Sequence, residues 1–169
     1  MAAAPWQALI EGTDGNFYGT TLGGGTSISD GMAFTITSTG TLTTLHDFTG
    51  ADGVGPIAPL FQGTNGNFYG TTSLGGAFNS GTVFGLSIEL GRFVKTLPTT
   101  GKVGTLVVIL GTNLKGATSV TFNGTAATFT VESATAIKTT VPTGATTGPV
   151  LVVTPSGTLT SNVNFQVEP

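Results

Sequence analysis

The chain contains no cysteine. This excludes disulfides, thiolate metal sites and a cysteine nucleophile, and it leaves the redox compartment open. Histidine is nearly absent as well: His46 stands alone, so no multi-histidine metal site can form within one chain. Charge is scarce, with 13 charged side chains in 169 residues against a usual fraction of about a quarter. The five cations, Arg92, Lys95, Lys102, Lys115 and Lys138, are scattered, and neutralising a phosphate backbone requires them grouped. Nucleic acid is therefore not an expected partner. No run approaches the roughly 20 apolar residues of a bilayer-spanning helix, so no membrane span is expected. Met1 to Pro5 is too short and too poor in charge to be a secretory signal. If the natural protein is exported, its signal lies outside this sequence.

What is present is β-forming. Threonine and valine are abundant, and a branched Cβ favours pleated backbone. The 27 glycines supply turns between short strands. Recurring Phe, Leu, Ile and Val provide the apolar area that a disordered chain lacks. The expected product is a folded all-β protein whose surface is covered by hydroxyls and backbone.

The sequence repeats itself. Gly12-Thr13-Asp14-Gly15-Asn16-Phe17-Tyr18-Gly19-Thr20-Thr21 returns as Gly63-Thr64-Asn65-Gly66-Asn67-Phe68-Tyr69-Gly70-Thr71-Thr72, nine of ten positions matching at a spacing of 51 residues. Leu9 aligns with Leu60, and Gly31 and Phe34 with Gly81 and Phe84 after a one-residue change in the glycine-rich loop. The period is close to that of propeller repeats, about 40–50 residues. The first copy reads as four strands, about Trp6 to Ile10, Asn16 to Thr21, Met32 to Thr37 and Thr41 to Phe48. Asp14-Gly15 and Asn65-Gly66 predict primed hairpin turns. Adjacent Phe and Tyr on a strand point to opposite faces, as expected of a sheet buried on both sides.

The second copy loses its last strand where Ser87-Ile88-Glu89-Leu90-Gly91 passes into a different texture. The expected domains are two repeats over residues 1–91, divided near residue 50, and an immunoglobulin-like sandwich over 92–169. In the latter, strands are expected at Leu106 to Leu110, Ser119 to Phe122, Ala126 to Val131, Ala136 to Val141, Val150 to Val153 and Ser161 to Val167. Asn123-Gly124 reads as a hairpin turn between two of them.

These residues carry two resemblances. Gly101 to Gly104, Leu110-Gly111-Thr112-Asn113-Leu114, Val120 to Gly124, Val141-Pro142 and Pro155-Ser156-Gly157 resemble the IPT/TIG family of immunoglobulin-like domains. The repeats resemble the GloVer-type tandem repeats of secreted bacterial proteins, with Asp-Gly-Asn-Phe-Tyr-Gly-Thr-Thr followed by a Gly-Gly loop and a Gly-Thr-Val-Phe strand. The second copy keeps Gly75-Gly76 and Gly81-Thr82-Val83-Phe84, whereas the first has Gly31-Met32-Ala33-Phe34. The resemblance implies the tail of a longer array at the cell surface or outside the cell. Two blades cannot close a propeller, so the repeats must pack on each other and the sandwich, or on repeats of other chains. A homo-oligomer formed through the repeat half is the expectation.

Chemistry is sparse. Asp14, Asp30, Asp47 and Asp52 are the concentrated acids of the repeat half, and His46 is the one candidate base. A carboxylate pair about 5–10 Å apart would serve glycoside hydrolysis, yet Asp14 becomes Asn65 and Asp30 becomes Ser80 in the second copy, as turn residues do. Asp14-Gly15-Asn16 offers oxygens to calcium without the remainder of an EF-hand loop, and no other cofactor is implied. Gly23-Gly24-Gly25 lacks the lysine of a phosphate loop, and no Gly-x-Ser-x-Gly elbow occurs. Trp6, Tyr18, Tyr69 and Phe78 have the chemistry to stack on sugar rings, although blade packing explains their placement equally. The leading expectation is a non-catalytic extracellular or cell-surface module for adhesion, assembly or carbohydrate binding. The alternatives are a polysaccharide-acting enzyme using repeat-borne carboxylates and a structural protomer of a ring or fibre.

Overall fold

A computed structural model describes residues 7–24 and 30–169. The protein is all-β: every regular element among the described residues is a strand. Two compact units divide the chain, Met1–Leu90 and Gly91–Pro169.

The first unit contains two antiparallel sheets. β1 (Ile10–Glu11), β2 (Phe17–Thr21), β3 (Met32–Ile36) and β4 (Leu42–Asp47) follow one another as a four-stranded meander. A bulge at Ala33/Phe34 shifts the register of β3 against β4. β5 (Phe61–Gln62), β6 (Phe68–Thr71) and β7 (Val83–Leu86) repeat the first three strands and stop there, as the interrupted second copy predicts. The register is the same in both sheets, with Glu11 opposite Phe17 and Gln62 opposite Phe68.

Glycine in the shared Phe-Tyr-Gly-Thr-Thr strand is a matter of room. A Cβ on Gly70 would lie 2.4 Å from the Phe84 ring, and one on Gly19 would lie 3.0 Å from Phe34. An aromatic ring from the next strand fills the missing side chain's place. Gly31 and Gly81 are required twice over, by φ of +90° and +86° and by a carbonyl oxygen 2.4 Å from any added Cβ.

The expected primed turns at Asp14-Gly15 and Asn65-Gly66 are replaced by another form. Only the glycines have positive φ. Gly15 N donates to Gly12 O while Gly12 N donates to Asn16 O, and Gly66 and Gly63 do the same in the second copy. This is a three-residue loop, a type I turn followed by a left-handed glycine. The Asp14 and Asn65 side chains accept from the backbone N–H two residues on, which holds them at negative φ. At Asn123-Gly124 both residues do have positive φ, and Phe122 pairs with Thr125 across a two-residue primed turn.

The second unit is a sandwich. Its strands are β8 (Lys95–Leu97), β9 (Thr100–Gly101), β10 (Leu106–Leu110), β11 (Ser119–Phe122), β12 (Thr125–Ala126), β13 (Phe129–Val131), β14 (Ala136–Thr140), β15 (Val150–Thr154), β16 (Gly157–Thr160) and β17 (Gln166–Val167). One sheet runs β13-β14-β10-β8 and the other β12-β11-β15-β16, the strand order of an immunoglobulin-type sandwich. β9 and β17 pair in parallel. Alternate residues of both sheets point inward: Val107, Ile109 and Ile137 meet Val120, Phe122, Val150 and Val152 in one core, with Phe165 set edge-on to Phe122 at 5.1 Å. Burying each such side chain is worth about 1.5–3 kcal/mol.

Two expected strands differ. Ala126 to Val131 is broken because β12 pairs with β11 and β13 with β14, so the chain must change sheets between them. Of the expected Ser161 to Val167 only β17, Gln166–Val167, is a strand, paired with β9, and an additional strand, β16, lies before it at Gly157–Thr160, directly after the turn at Pro155-Ser156. Between the two, Ser161 Oγ donates to Val163 O and accepts from Val150 N.

Candidate functional site

β2 and β6 carry the repeated Phe-Tyr pair, and alternation sends the two rings of each pair to opposite faces. The sheets of the first unit meet through unlike members of these pairs. Tyr18 of the first stacks on Phe68 of the second, with centroids 4.1 Å apart and planes at 29°. Leu60 completes the buried cluster, and Ile10, Leu45, Phe84 and Leu86 pack around it. Phe48, past the end of β4, sets its edge against Phe84 at 4.9 Å. At the rim, Thr13 N donates to Gln62 Oε1 and Gln62 Nε2 donates to Thr13 Oγ1, both at 3.2 Å. Thr20 Oγ1 donates to Pro56 O.

Equivalent positions therefore have unequal surroundings. Tyr18, Thr20 and Ala33 are 2%, 3% and 0% exposed. Their counterparts in the second sheet are Tyr69, 37% exposed, Val83, 80% exposed, and Thr71, also exposed. On the opposite face the order reverses at two positions, although Phe34 is buried where its counterpart Phe84 is half-buried. Phe68 and Gln62 are buried, whereas Phe17 is half-buried and Glu11 exposed.

Two of the four acids, Asp14 and Asp52, serve turns, while Asp47 Oδ1 is buried on β4 without a hydrogen-bond partner. Asp14 Oδ2 accepts from the Tyr18 hydroxyl at 2.8 Å and from Asn16 Nδ2 at 2.7 Å. Burial raises its carboxyl, but these hydrogen bonds outweigh it and hold Asp14 below its ordinary value. Burial, then donation to Asp14, pushes the Tyr18 phenol up. In the second copy Asn65 Nδ2 donates to the Tyr69 hydroxyl at 2.7 Å. Asp52 Oδ1 accepts from Thr49 N and Thr49 Oγ1, and its Oδ2 lies 2.7 Å from His46 Nε2. Burial raises Asp52, and the Thr49 and His46 hydrogen bonds lower it further than burial lifts it. Asp30 contributes its backbone carbonyl to Gly55 N, and Asp47 ends β4 opposite Met32. Among the described residues no three of His, Asp or Glu gather as a metal-binding group.

Of the four aromatic candidates, Trp6 lies outside the described residues. Tyr18 is enclosed between the sheets and faces no loop mouth. Tyr69 keeps part of its ring in solvent, and Phe78, in the loop after β6, is 90% exposed. Gln62 carries no signal in the ten-residue motif, because it falls just before it; extending the alignment by one residue shows Glu11 becoming Gln62. Val83 stands in the aligned Gly-Thr-Val-Phe strand in place of Ala33, but the motif does not mark it as a surface residue. In the sandwich, Leu106, Phe129, Thr130 and Lys138 line a shallow depression of about 240 Å³. Among the described residues no helix is long and apolar enough to cross a membrane.

No curated protein matches the chain. The family model described as the Gloeobacter/Verrucomicrobia repeat matches residues 2–147. The matched stretch covers both sheets of the first unit and continues through β14 of the sandwich, although the ten-residue motif does not recur beyond Thr72. With most of its length matched, including both copies of the repeat, the chain belongs to the Gloeobacter/Verrucomicrobia repeat family.

Proposed function

We propose that the chain is a non-catalytic module of the cell surface or extracellular space, in which blade-like repeats serve assembly and an IPT/TIG-like sandwich accompanies them. The observation that carries this reading is the Tyr18–Phe68 stack. The motif's two aromatic rings, the most chemically conspicuous feature of the repeat, join one repeat to the next. Aromatic burial of this kind dominates contact energetics, and repeat units are stable only when neighbours cover their faces. The engagement of Asp14 and Asp52 in their own turns supports the same reading over a hydrolase.

Light scattering on the full chain over a concentration series, run beside a polysaccharide turnover screen, tests it. Mass above one chain with no product release is expected. Turnover that disappears in Asp14→Asn or Asp47→Asn would overturn it in favour of the enzyme. Carbohydrate binding is a second reading, favoured by the part-exposed Tyr69 ring held in place by Asn65 beside exposed Thr71. A Tyr69→Ala variant that loses affinity for an oligosaccharide would support that reading.

A further inference from the structure

The contact within the first unit joins unlike faces of like sheets. The face bearing Tyr18, Thr20 and Ala33 is covered, and the face that meets Tyr18 bears Gln62, Phe68 and Leu86. The repeat spacing places the first set again at Tyr69, Thr71 and Val83, where it is exposed. The second set has its counterpart at Glu11, Phe17 and Ile36, registered together with Leu42 across β1 to β4. That row is exposed at Glu11 and at Leu42 and half-buried at Phe17 and Ile36, whereas Phe34 and Met32, farther along the same face, are already buried. One unit thus presents both halves of the interface that it contains, one half at each end of the pair of sheets.

Resting on the assembly reading above, we propose that the Tyr69 face of one copy is covered by the Phe17 face of a second copy of this chain. Tyr69 then stacks on Phe17 of the second copy as Tyr18 stacks on Phe68 within one. The argument is continuity with a contact already formed. The tyrosine, threonine and phenylalanine recur in the same strand register, Ile36 stands for Leu86 and Glu11 for Gln62, and Val83 offers more apolar area than the buried Ala33 that it replaces. Because the two faces differ, the contact is heterologous. Association proceeds head to tail and either closes into a ring or continues as a filament.

The absence of native cysteine makes this directly testable. Tyr69→Cys and Phe17→Cys chains, prepared separately and joined with a short bis-maleimide, are expected to cross-link when mixed and not when either is alone. Cross-linking of Tyr69→Cys to itself would show a symmetric contact and overturn the proposal. Val83→Arg, at a position exposed in one chain, is expected to weaken self-association by more than about tenfold, because it places an unpaired charge in an apolar contact. Val103→Arg on the sandwich should leave association unchanged. If the wild-type chain associates but Val83→Arg does not weaken it, the face pairing is wrong and the assembly reading stands. If the wild-type chain is monomeric at every concentration, both fail. Oligosaccharide binding by such a monomer, lost in Tyr69→Ala, would assign the face to a glycan.

Discussion

The sandwich and the repeat half use similar residues to different ends. In the sandwich, twelve buried side chains from two facing sheets and the segments beside them form one core, and strands alternate cleanly between inside and outside. In the repeat half the buried cluster between the sheets is Tyr18, Leu60 and Phe68, with Met32, Ala33, Phe34 and Phe48 buried outside it, and apolar side chains such as Val83 and Leu42 remain in solvent. A sandwich sheet has one partner and is then complete. A sheet of the repeat half carries apolar side chains on both faces, so a pair of them leaves part of each outer face in solvent, and stability rests on nearest-neighbour contacts.

The comparison is broken most severely by truncating each core in turn. Phe122→Ala removes a fully buried ring that also meets Phe165. It is expected to cost the sandwich about 3–5 kcal/mol, visible in calorimetry as a lowered transition for that unit with the repeat transition in place. If both transitions move together, the units are not energetically separate. Phe68→Ala is expected to cost about 3 kcal/mol, part of it the aromatic stack. The repeat half has less core to absorb such a loss, so its cooperative transition should vanish while the sandwich still melts. A surviving repeat transition would mean that contacts outside the Tyr18–Phe68 cluster hold the two sheets together.

The sequence made the all-β class and most strand positions legible, because valine alternation from Leu106 to Leu110 and from Val150 onward reflects one buried face. The repeat was legible for the same local reason: a turn, a Phe-Tyr pair and a glycine under a ring must be respected in every copy. Which ring would be buried was not. Phe17 and Phe68 are identical in local sequence, and their different exposure is decided by what lies against each sheet, a long-range fact that no motif encodes. The change of sheets between Ala126 and Phe129 was hidden likewise, since both halves of that run favour extended backbone and only pairing partners divide them. Among the acids, the swap of Asp14 for Asn65 pointed to a turn, and the Asn65 to Tyr69 hydrogen bond shows how the amide keeps the geometry.

A finer comparison sets equivalent glycines side by side. Gly70→Ala would press its methyl against Phe84 and Leu60, at 2.4 and 2.9 Å, both committed to the packing between sheets. Gly19→Ala meets Leu9, part-exposed and able to turn away, and then Phe34 at 3.0 Å. Overpacking of a settled contact costs about 1–3 kcal/mol. Gly70→Ala is expected near the upper end and Gly19→Ala near the lower, measured by urea denaturation of the repeat transition. Equal costs would show that both glycines are held by their own sheet alone.

The smallest expected effect separates the two copies by charge. Asp14 has a carboxyl held below its ordinary value by Tyr18 and Asn16, and its counterpart Asn65 does not titrate. A depressed carboxylate stabilises the fold above the unfolded-state value, about 3.9, and that contribution is lost as pH falls through the lower folded value. Asp52, depressed in the same direction, adds to this acid limb. Asp14→Asn should therefore leave stability at neutral pH within about 1 kcal/mol of the natural chain, because an amide at that position donates to the tyrosine hydroxyl as Asn65 does. It should also flatten the acid decline of the repeat transition, with the remainder removed by Asp52→Asn. A pH profile unchanged by both substitutions would place the acid sensitivity elsewhere and reduce the Asp14–Tyr18 bond to a geometric role, with the first copy then behaving at low pH as the second already does.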